Sequence, residues 1–226
     1  MKHVLIIGSN SDIACNIINI IGNNENIKLS LASKNFENIL KNITKLKNTN
    51  SRVFPYKFDL EKNEMFDDFF RKLHDDIDTI IFASGYLENP EVNTNKIISV
   101  NFESPKKILD SILYDKKLKN ISKIIVINSV AADRKNYQES AYALSKFKLS
   151  KYLETLRYDL QSKNIVEIKL GYVDTKMVKN LNLPFFLVSS PNSIAKKIVK
   201  NFNNNREIYY LPFYWKYILK IYNLLK

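Results

Sequence analysis

Seven short apolar segments alternate with helical segments along the chain, and this alternation is the strongest constraint on its fold. The apolar segments lie at 2–7, 27–32, 52–58, 77–83, 122–128, 164–170 and 207–211, and each has the length and character of a strand. Strands separated by helices join through right-handed crossovers into a parallel sheet. We therefore predict one α/β domain over residues 1–226, with a doubly wound, parallel, seven-stranded sheet and helices on both faces.

Tyr142 and Lys146 stand four residues apart in the segment SAYALSK at 140–146. On a helix, both side chains would leave the same face, one turn apart. A free tyrosine hydroxyl has a pKa of ~10 and transfers protons poorly at neutral pH. Because a fixed ammonium favours the phenolate, we predict that Lys146 lowers the pKa of Tyr142 into a useful range.

Ser129 ends the apolar run 123–128, thirteen residues before Tyr142. A buried strand would deliver its hydroxyl to the carboxyl edge of the sheet, where open α/β proteins bind ligands. The structural alternatives are a half-buried aromatic for Tyr142, a surface cation for Lys146 and a strand terminator for Ser129. The order and spacing of the three residues favour a catalytic interpretation.

These residues belong to seven elements whose order resembles that of the short-chain dehydrogenase/reductase family, over nearly the whole chain. Within the family, the Ser-Asp-Ile of the first turn is similar to the branch containing decaprenylphosphoryl keto-ribose reductases. The resemblance implies a Rossmann fold and an NADP-dependent carbonyl reductase or alcohol dehydrogenase. The matching residues are Gly8 to Ala14, Asp59-Leu60, Ala83-Ser84-Gly85, Asn101, Ser129, Tyr142, Lys146 and Gly171 to Thr175.

The resemblance assigns catalytic roles to four residues. It implies that Tyr142 exchanges a proton with the substrate oxygen while hydride moves to or from a nicotinamide, and that Ser129 positions and polarises the carbonyl. Lys146 is implied to bind the nicotinamide ribose hydroxyls as well. Asn101 is implied to order a water that completes a proton relay toward Lys146, with a helix-backbone hydrogen bond as its structural alternative.

The resemblance also implies a cofactor site along the sheet edge. Asp59 matches the residue that contacts the adenine, with a turn or cap role as the alternative, and Thr175 matches the hydroxyl that binds the carboxamide. Asp12 would be repelled by a pyrophosphate unless its side chain points away. The implied cofactor contacts are Gly8, Ser9, Asn10, Ser11, Asp12, Ile13, Ser33, Lys34, Asp59, Leu60, Ala83, Ser84, Gly85, Tyr142, Lys146, Val173 and Thr175.

Ser33 and Lys34, at the end of the second strand, bear on the choice of cofactor. An acidic residue there would accept hydrogen bonds from a ribose diol, whereas a hydroxyl followed by a cation can hold a 2'-phosphate. We therefore predict that NADP(H) is preferred over NAD(H). The alternative for Lys34 is a solvated first-turn residue.

Composition and the chain start limit the other possibilities. Cys15 is the only cysteine, so no disulfide forms within the chain, and a reducing cytoplasm fits. The chain enters a strand at once, which leaves no room for a secretory signal, and no apolar stretch approaches the ~20 residues that span a bilayer. His3, placed at a strand edge, and His74 lack metal-ligand spacing to Cys15, so no metal site is predicted.

The carboxyl-terminal region is basic and aromatic. We predict a substrate lid at about 176–192, with an apolar wall at 184–188, and an amphipathic helix at about 214–226. From Asn192 onward, seven Lys or Arg residues stand against one acid, Glu207. Such a helix fits peripheral contact with an anionic membrane surface; packing on the domain or on a dimer partner is the alternative. The resemblance implies a small-molecule or lipid-linked carbonyl substrate and a homo-oligomer.

A net charge of +12 also permits a protein of another class, a non-catalytic Rossmann protein that binds nucleic acid or membrane. The sequence contains no nucleic-acid motif, so no nucleic-acid partner is expected. The retained Ser129, Tyr142 and Lys146 favour an enzyme.

Overall fold

Seven strands form one parallel sheet in the computed structural model, which describes residues 2–23, 26–46, 52–88, 93–114, 118–159, 164–179, 181–204 and 206–225. The strand order is β3-β2-β1-β4-β5-β6-β7, and all neighbouring strands run parallel. The predicted fold class and all seven strands are confirmed. Their bounds are β1 Lys2–Ile7, β2 Ile27–Ser33, β3 Arg52–Lys57, β4 Thr79–Phe82, β5 Lys123–Ser129, β6 Asn164–Leu170 and β7 Ile208–Leu211.

Helices cover both faces of this sheet. A five-residue π-helical turn, Ser99–Glu103, joins α4 to α5, and short 3-10 turns follow β5 and lie within the predicted lid. The helices are α1 Asp12–Ile21, α2 Phe36–Ile43, α3 Phe66–Lys72, α4 Thr94–Ile98, α5 Ser104–Leu113, α6 Ala141–Asp159, α7 Pro191–Lys200 and α8 Trp215–Leu225.

The core consists of two apolar layers, one on each face of the sheet. Alternate residues of β1 divide between them: Leu5 belongs to the layer under α3, α5 and α6, and Ile6 to the layer under α1, α2 and α7. Each fully buried side chain of this size contributes roughly 1.5–3 kcal/mol relative to exposure. These layers hold the sheet in place. At its carboxyl edge the loops after β1 and β4 diverge, and the crevice between them is where folds of this kind usually bind ligands.

His3 lies inside the sheet rather than at its edge, which corrects the sequence-based placement. Strands β2 and β4 both pair with β1. The imidazole is fully buried beside the Phe54 and His74 rings. Its Nδ1 lies 2.6 Å from Asp76 Oδ1 and its Nε2 lies 2.9 Å from Ser30 Oγ. Burial lowers the pKa of His3, against the effect of Asp76. The residue supports packing at the amino edge of the sheet, away from the carboxyl edge where β1 meets Gly8.

The last helix, α8, packs on the domain through one face. Trp215 and Leu219 are buried against Val130, the residue that follows β5. Asn223 Nδ2 donates to the Asp133 carbonyl at 2.7 Å, and Lys135 N donates to Asn223 Oδ1 at 2.9 Å. The inner face of α8 is therefore packed on the domain, which was the alternative to membrane contact for this helix. In the described part of the chain, no helix combines the length and apolar character needed to cross a bilayer.

Candidate active site

A cleft of about 370 Å³ runs along the carboxyl edge of the sheet. The loops that follow the strands line it, as expected for an open parallel sheet. Two predicted site residues, Ser9 and Asn101, are buried beside it instead. The predicted residues that line the cleft are Gly8, Asn10, Ser11, Asp12, Ile13, Ser33, Lys34, Asp59, Leu60, Ala83, Ser84, Gly85, Ser129, Tyr142, Lys146, Val173 and Thr175.

The loop from β1 to α1 turns tightly at Gly8. Its φ is +82°, and a Cβ at this position would stand 2.6 Å from Ser84 N. Glycine is required because the conformation is left-handed and because the loops after β1 and β4 are in contact. Ser11 Oγ then caps α1 by accepting from Ala14 N at 3.2 Å. The Ser84 hydroxyl is buried with no hydrogen-bond partner among the described residues.

The Asp12 carboxylate is turned toward the predicted lid. Its Oδ2 accepts from Lys176 N at 2.8 Å, and Lys176 Nζ lies 4.0 Å from its Oδ1. This contact joins the start of α1 to the segment that follows Thr175. The first turn can therefore accept an anion at its backbone amides while the carboxylate is bound elsewhere.

Lys34 and Asp59 lie together at the end of the cleft formed by the loops after β2 and β3. Lys34 Nζ is 3.3 Å from Asp59 Oδ2 and donates to Glu61 Oε1 at 2.8 Å. Asp59 also accepts from Glu61 N at 3.1 Å, so the turn role considered as its alternative is present as well. Sequence reasoning missed Glu61, although an acid two residues after the predicted cofactor residue Asp59 is a signal it could have used.

Ser129, Tyr142 and Lys146 meet at the centre of the cleft. Ser129 ends β5, where its Oγ accepts from Ala131 N at 3.1 Å, and its hydroxyl is near enough to Tyr142 to act on the pKa of that residue. Tyr142 and Lys146 project from successive turns of α6, and Lys146 Nζ lies 5.7 Å from the Tyr142 ring centroid. The helix begins where the Glu88 carboxylate accepts from Ser140 Oγ at 2.8 Å. A proton donor, a second hydroxyl and an ammonium thus share one small volume.

The electrostatics of this group differ from the prediction. Burial raises the pKa of Tyr142, and the hydrogen bond with Ser129 and the charge of Arg134 only oppose that rise. Burial also lowers the pKa of Lys146 to about 8, against the attraction of the Glu167 carboxylate. The pKa of Tyr142 in the free protein is therefore raised and not lowered, because burial of the ring dominates. The separate effect of Lys146 on this pKa stays a prediction.

Asn101 lies behind Gly85, within the π-helical turn. Its Oδ1 accepts from Tyr86 N at 2.7 Å, and its Nδ2 donates to the Tyr86 carbonyl at 2.8 Å and to Ser145 Oγ at 3.1 Å. A Cβ on Gly85 would stand 3.2 Å from Asn101 Oδ1 and 3.3 Å from Lys146 Nζ. The absence of a side chain at Gly85 therefore lets the amide and the ammonium approach one another.

A buried polar group that the sequence reasoning did not identify supports α6 from behind. Asn128 Nδ2 donates to the Lys146 carbonyl at 3.1 Å and to Glu167 Oε1 at 2.7 Å. Glu167 is fully buried, and Arg157 and Lys169 lie 3.7 and 4.0 Å from its oxygens. The charged residues inside the strand sequence NIVEIKL were the available signal. This group fixes the backbone that carries Lys146.

Trp215, the first residue of α8, lies beside Gly171 at the cleft. A Cβ on Gly171, which lines the cleft, would stand 1.8 Å from Trp215 Nε1. The indole also meets Tyr172 edge to face, with ring centroids 4.9 Å apart. The predicted lid is closed at its base by a bridge between Val173 and Ser189. Gly171 is therefore glycine because an aromatic side chain from α8 occupies the space beside it.

The sequence matches the short chain dehydrogenase family over residues 2–184. The chain belongs to this family. It is thus an enzyme of the short-chain oxidoreductases, as the order of its motifs predicted. No curated protein matches the sequence significantly. Placement in the keto-ribose reductase branch stays a prediction.

Solved structures with the same fold align with almost the entire chain. A short-chain dehydrogenase from Sphingobium yanoikuyae in complex with NADPH has a TM-score of 0.81 at 14% identity, covering 100% of this chain and 95% of that one. A short-chain dehydrogenase from Burkholderia cenocepacia in complex with NADP has a TM-score of 0.79 at 16% identity, covering 97% of this chain and 93% of that one. An alcohol dehydrogenase from Thermococcus sibiricus complexed with 5-hydroxy-NADP has a TM-score of 0.77 at 20% identity, covering 93% of this chain and 94% of that one. At these identities, the likeness shows a shared fold.

Proposed function

We propose that this protein is an NADPH-dependent reductase of carbonyl groups, or in reverse a dehydrogenase of alcohols. The observation that carries the proposal is the meeting of Ser129, Tyr142 and Lys146 in one cleft, which all three residues line. No nucleophile, metal or carboxylate pair is needed for the reaction. Two hydroxyls and an ammonium are the groups that polarise a carbonyl and supply its proton.

The cofactor, when bound, supplies or accepts the hydride. The backbone amides at the Gly8 turn and the start of α1 would hold its phosphates, with Ser84 in the adjoining loop beside them. The three NADP-containing relatives support a nicotinamide cofactor. Preference for NADPH rests on Lys34, whose side chain is 55% exposed and able to turn toward a 2'-phosphate.

The protein's own groups position the substrate and move its proton. The Ser129 and Tyr142 hydroxyls donate hydrogen bonds to the carbonyl oxygen, and Tyr142 transfers its proton to that oxygen as negative charge develops. Its raised pKa keeps the hydroxyl protonated before reaction, which suits the reductive direction. Lys146 stabilises the phenolate that forms, and Asn101 orders a water on the side of Gly85 through which the proton is replaced.

Replacing Tyr142 by Phe tests this function. We expect turnover to fall by about 10²- to 10⁴-fold, because the proton donor is lost while the ring remains, and NADPH affinity to be nearly unchanged. Turnover would be followed by NADPH absorbance and affinity by calorimetry. The matched control is Tyr158→Phe, at an 82% exposed position near the end of the same helix, which should retain full turnover. Equal turnover in both variants would rule out the assigned role of Tyr142.

The substrate class we propose is a keto-sugar or a lipid-linked keto-sugar of cell-envelope glycan synthesis. The apolar mouth of the cleft supports the lipid-linked member of this class, because Met177 lines the cleft while remaining 43% exposed. Phe185 and Phe186 follow on the same predicted lid and are also exposed. A panel of keto-sugars with and without a prenyl phosphate, followed by NADPH absorbance, tests the class. Turnover restricted to unrelated small ketones would contradict it.

We further propose that the lid and α8 rest on an anionic membrane surface. Leu187 of the lid packs against the Trp215 and Leu219 cluster, so the two elements are neighbours. Both expose apolar side chains, including Phe185 on the lid and Ile221 and Leu224 on α8. The homo-oligomer and the cytoplasmic location stay predictions.

A further inference from the structure

Glu61 is held by three side chains at the end of the cleft formed by the loops after β2 and β3. Its Oε1 accepts from Lys34 Nζ at 2.8 Å and from the Tyr86 hydroxyl at 2.9 Å. Its Oε2 lies 3.0 Å from Lys96 Nζ. Partial burial opposes ionisation, yet these hydrogen bonds together lower the pKa of Glu61 to about 2. The residue is a carboxylate throughout the neutral range.

Lys34 is therefore already engaged in the free protein. Its ammonium lies 2.8 Å from Glu61 and 3.3 Å from Asp59, so two carboxylates compete for one cation. A 2'-phosphate brings a charge of roughly −2. It can bind Lys34 only where the ammonium turns away from Glu61, or else it must approach a carboxylate at close range.

We propose that Glu61 sets the cofactor specificity by competing with the 2'-phosphate of NADPH for Lys34. This inference rests on the proposed NADPH-dependent function and names a residue that limits it. NADH presents a ribose hydroxyl at the same place, and a hydroxyl donates to a carboxylate favourably. Glu61 therefore disfavours one cofactor while it assists the other, so the unaltered protein discriminates less than Lys34 alone would allow.

Lys96 supplies an internal check on the direction of the effect. It does not line the cleft, but its ammonium pairs with Glu61 and lies 5.2 Å from the Tyr86 ring centroid. Among the described residues, removing this cation leaves Glu61 with Lys34 as its one remaining lysine partner. Lys96→Gln should therefore strengthen the competition from Glu61, whereas Glu61→Gln should remove it and leave only that from Asp59.

Calorimetry with NADPH and NADH tests the proposal, with adenosine 2',5'-bisphosphate and 5'-AMP as probes of the phosphate alone. The ratio of the NADH Kd to the NADPH Kd should rise about two- to fivefold in Glu61→Gln, the range expected for a partly exposed ion pair. The same ratio should fall in Lys96→Gln. Glu64→Gln, an exposed charge change three residues away, is the control and should leave the ratio unchanged.

The outcomes separate this inference from the proposed function. Equal binding of NADPH and NADH by the unaltered protein would refute the NADPH preference, while a ratio that still rises in Glu61→Gln would uphold the competition. A ratio that stays constant in both Glu61→Gln and Lys96→Gln would overturn the competition itself. Since Lys96→Gln keeps Glu61 in place, the test survives if Glu61→Gln folds poorly.

Discussion

Lys146 carries its charge where water scarcely reaches it. The residue is 4% exposed, and burial lowers its pKa from 10.5 to about 8, against the attraction of Glu167. A fall of that size corresponds to a cost on the order of 3 kcal/mol for keeping the charged form. Such a cost is characteristic of groups retained for chemistry rather than for folding.

Replacing Lys146 by Met should stabilise the free protein while removing its activity. Because the folded pKa lies below the unfolded value, the folded state binds fewer protons between pH 8 and 10.5, and stability rises with pH across that window. The gain in unfolding free energy should therefore be largest below pH 8, up to about 3 kcal/mol, and should shrink toward pH 10.5.

Urea unfolding at pH 7 and at pH 10 measures this difference. Lys148→Met, at an exposed position two residues along the same helix, is the control and should show no such pH dependence. A Lys146→Met protein that is less stable than the unaltered protein at pH 7 would refute the cost assigned to the buried ammonium.

At the scale of elements, α8 is attached to the domain by the contact between Trp215 and Gly171. Trp215 is nearly fully buried, and its Nε1 occupies the place where a side chain of residue 171 would lie. The loop after β6 and the last helix are thus fitted to each other. A substitution at either residue should therefore alter the packing of both the loop and the helix.

Gly171→Ala should lower the Tm and loosen α8, because the added methyl group cannot be accommodated beside the indole. Overpacking of a buried site typically costs 1–3 kcal/mol. Trp215→Leu alone should also destabilise, through the lost aromatic contact. The double variant should be more stable than the sum of the two single effects predicts, by 0.5 kcal/mol or more. Thermal unfolding of the four proteins gives this coupling, and strict additivity would show that the two residues do not constrain each other.

The elements that sequence reasoning predicted are those that local pattern determines. The strands are short apolar runs, and Tyr142 and Lys146 are one helical turn apart, so neither inference needs the tertiary structure. Glu61 and Trp215 were missed as site residues because their partners are remote in sequence. The partner of Glu61 is Lys34, and the partner of Trp215 is Gly171. The rise in the pKa of Tyr142 was not foreseen for a related reason, since desolvation depends on how the whole cleft is packed.

At the scale of the whole molecule, exposed apolar side chains are concentrated on two neighbouring elements. Those of α8 follow helical spacing on its outer face, where Tyr217, Ile221 and Leu224 are exposed, with Lys216 and Lys220 alongside. The exposed apolar residues of the lid and of the α8 region are Met177, Leu181, Phe185, Phe186, Phe213, Tyr217, Ile221, Leu224 and Leu225. An apolar stripe beside lysines is the pattern of an interfacial helix.

Vesicle co-sedimentation should show binding that strengthens with anionic lipid and weakens with salt. The eleven residues of α8 extend only ~16 Å at 1.5 Å per residue, so the helix can lie in the interface but not cross the ~30 Å core. Ile221→Ser with Leu224→Ser should weaken binding through lost apolar burial. Each of Lys216→Gln and Lys220→Gln should weaken it roughly fivefold, since a lysine near an anionic surface contributes about 1 kcal/mol. Tyr158→Ser, an equally exposed aromatic position on α6, should have no effect, and binding that is unchanged in the α8 variants would show that this surface contacts protein instead.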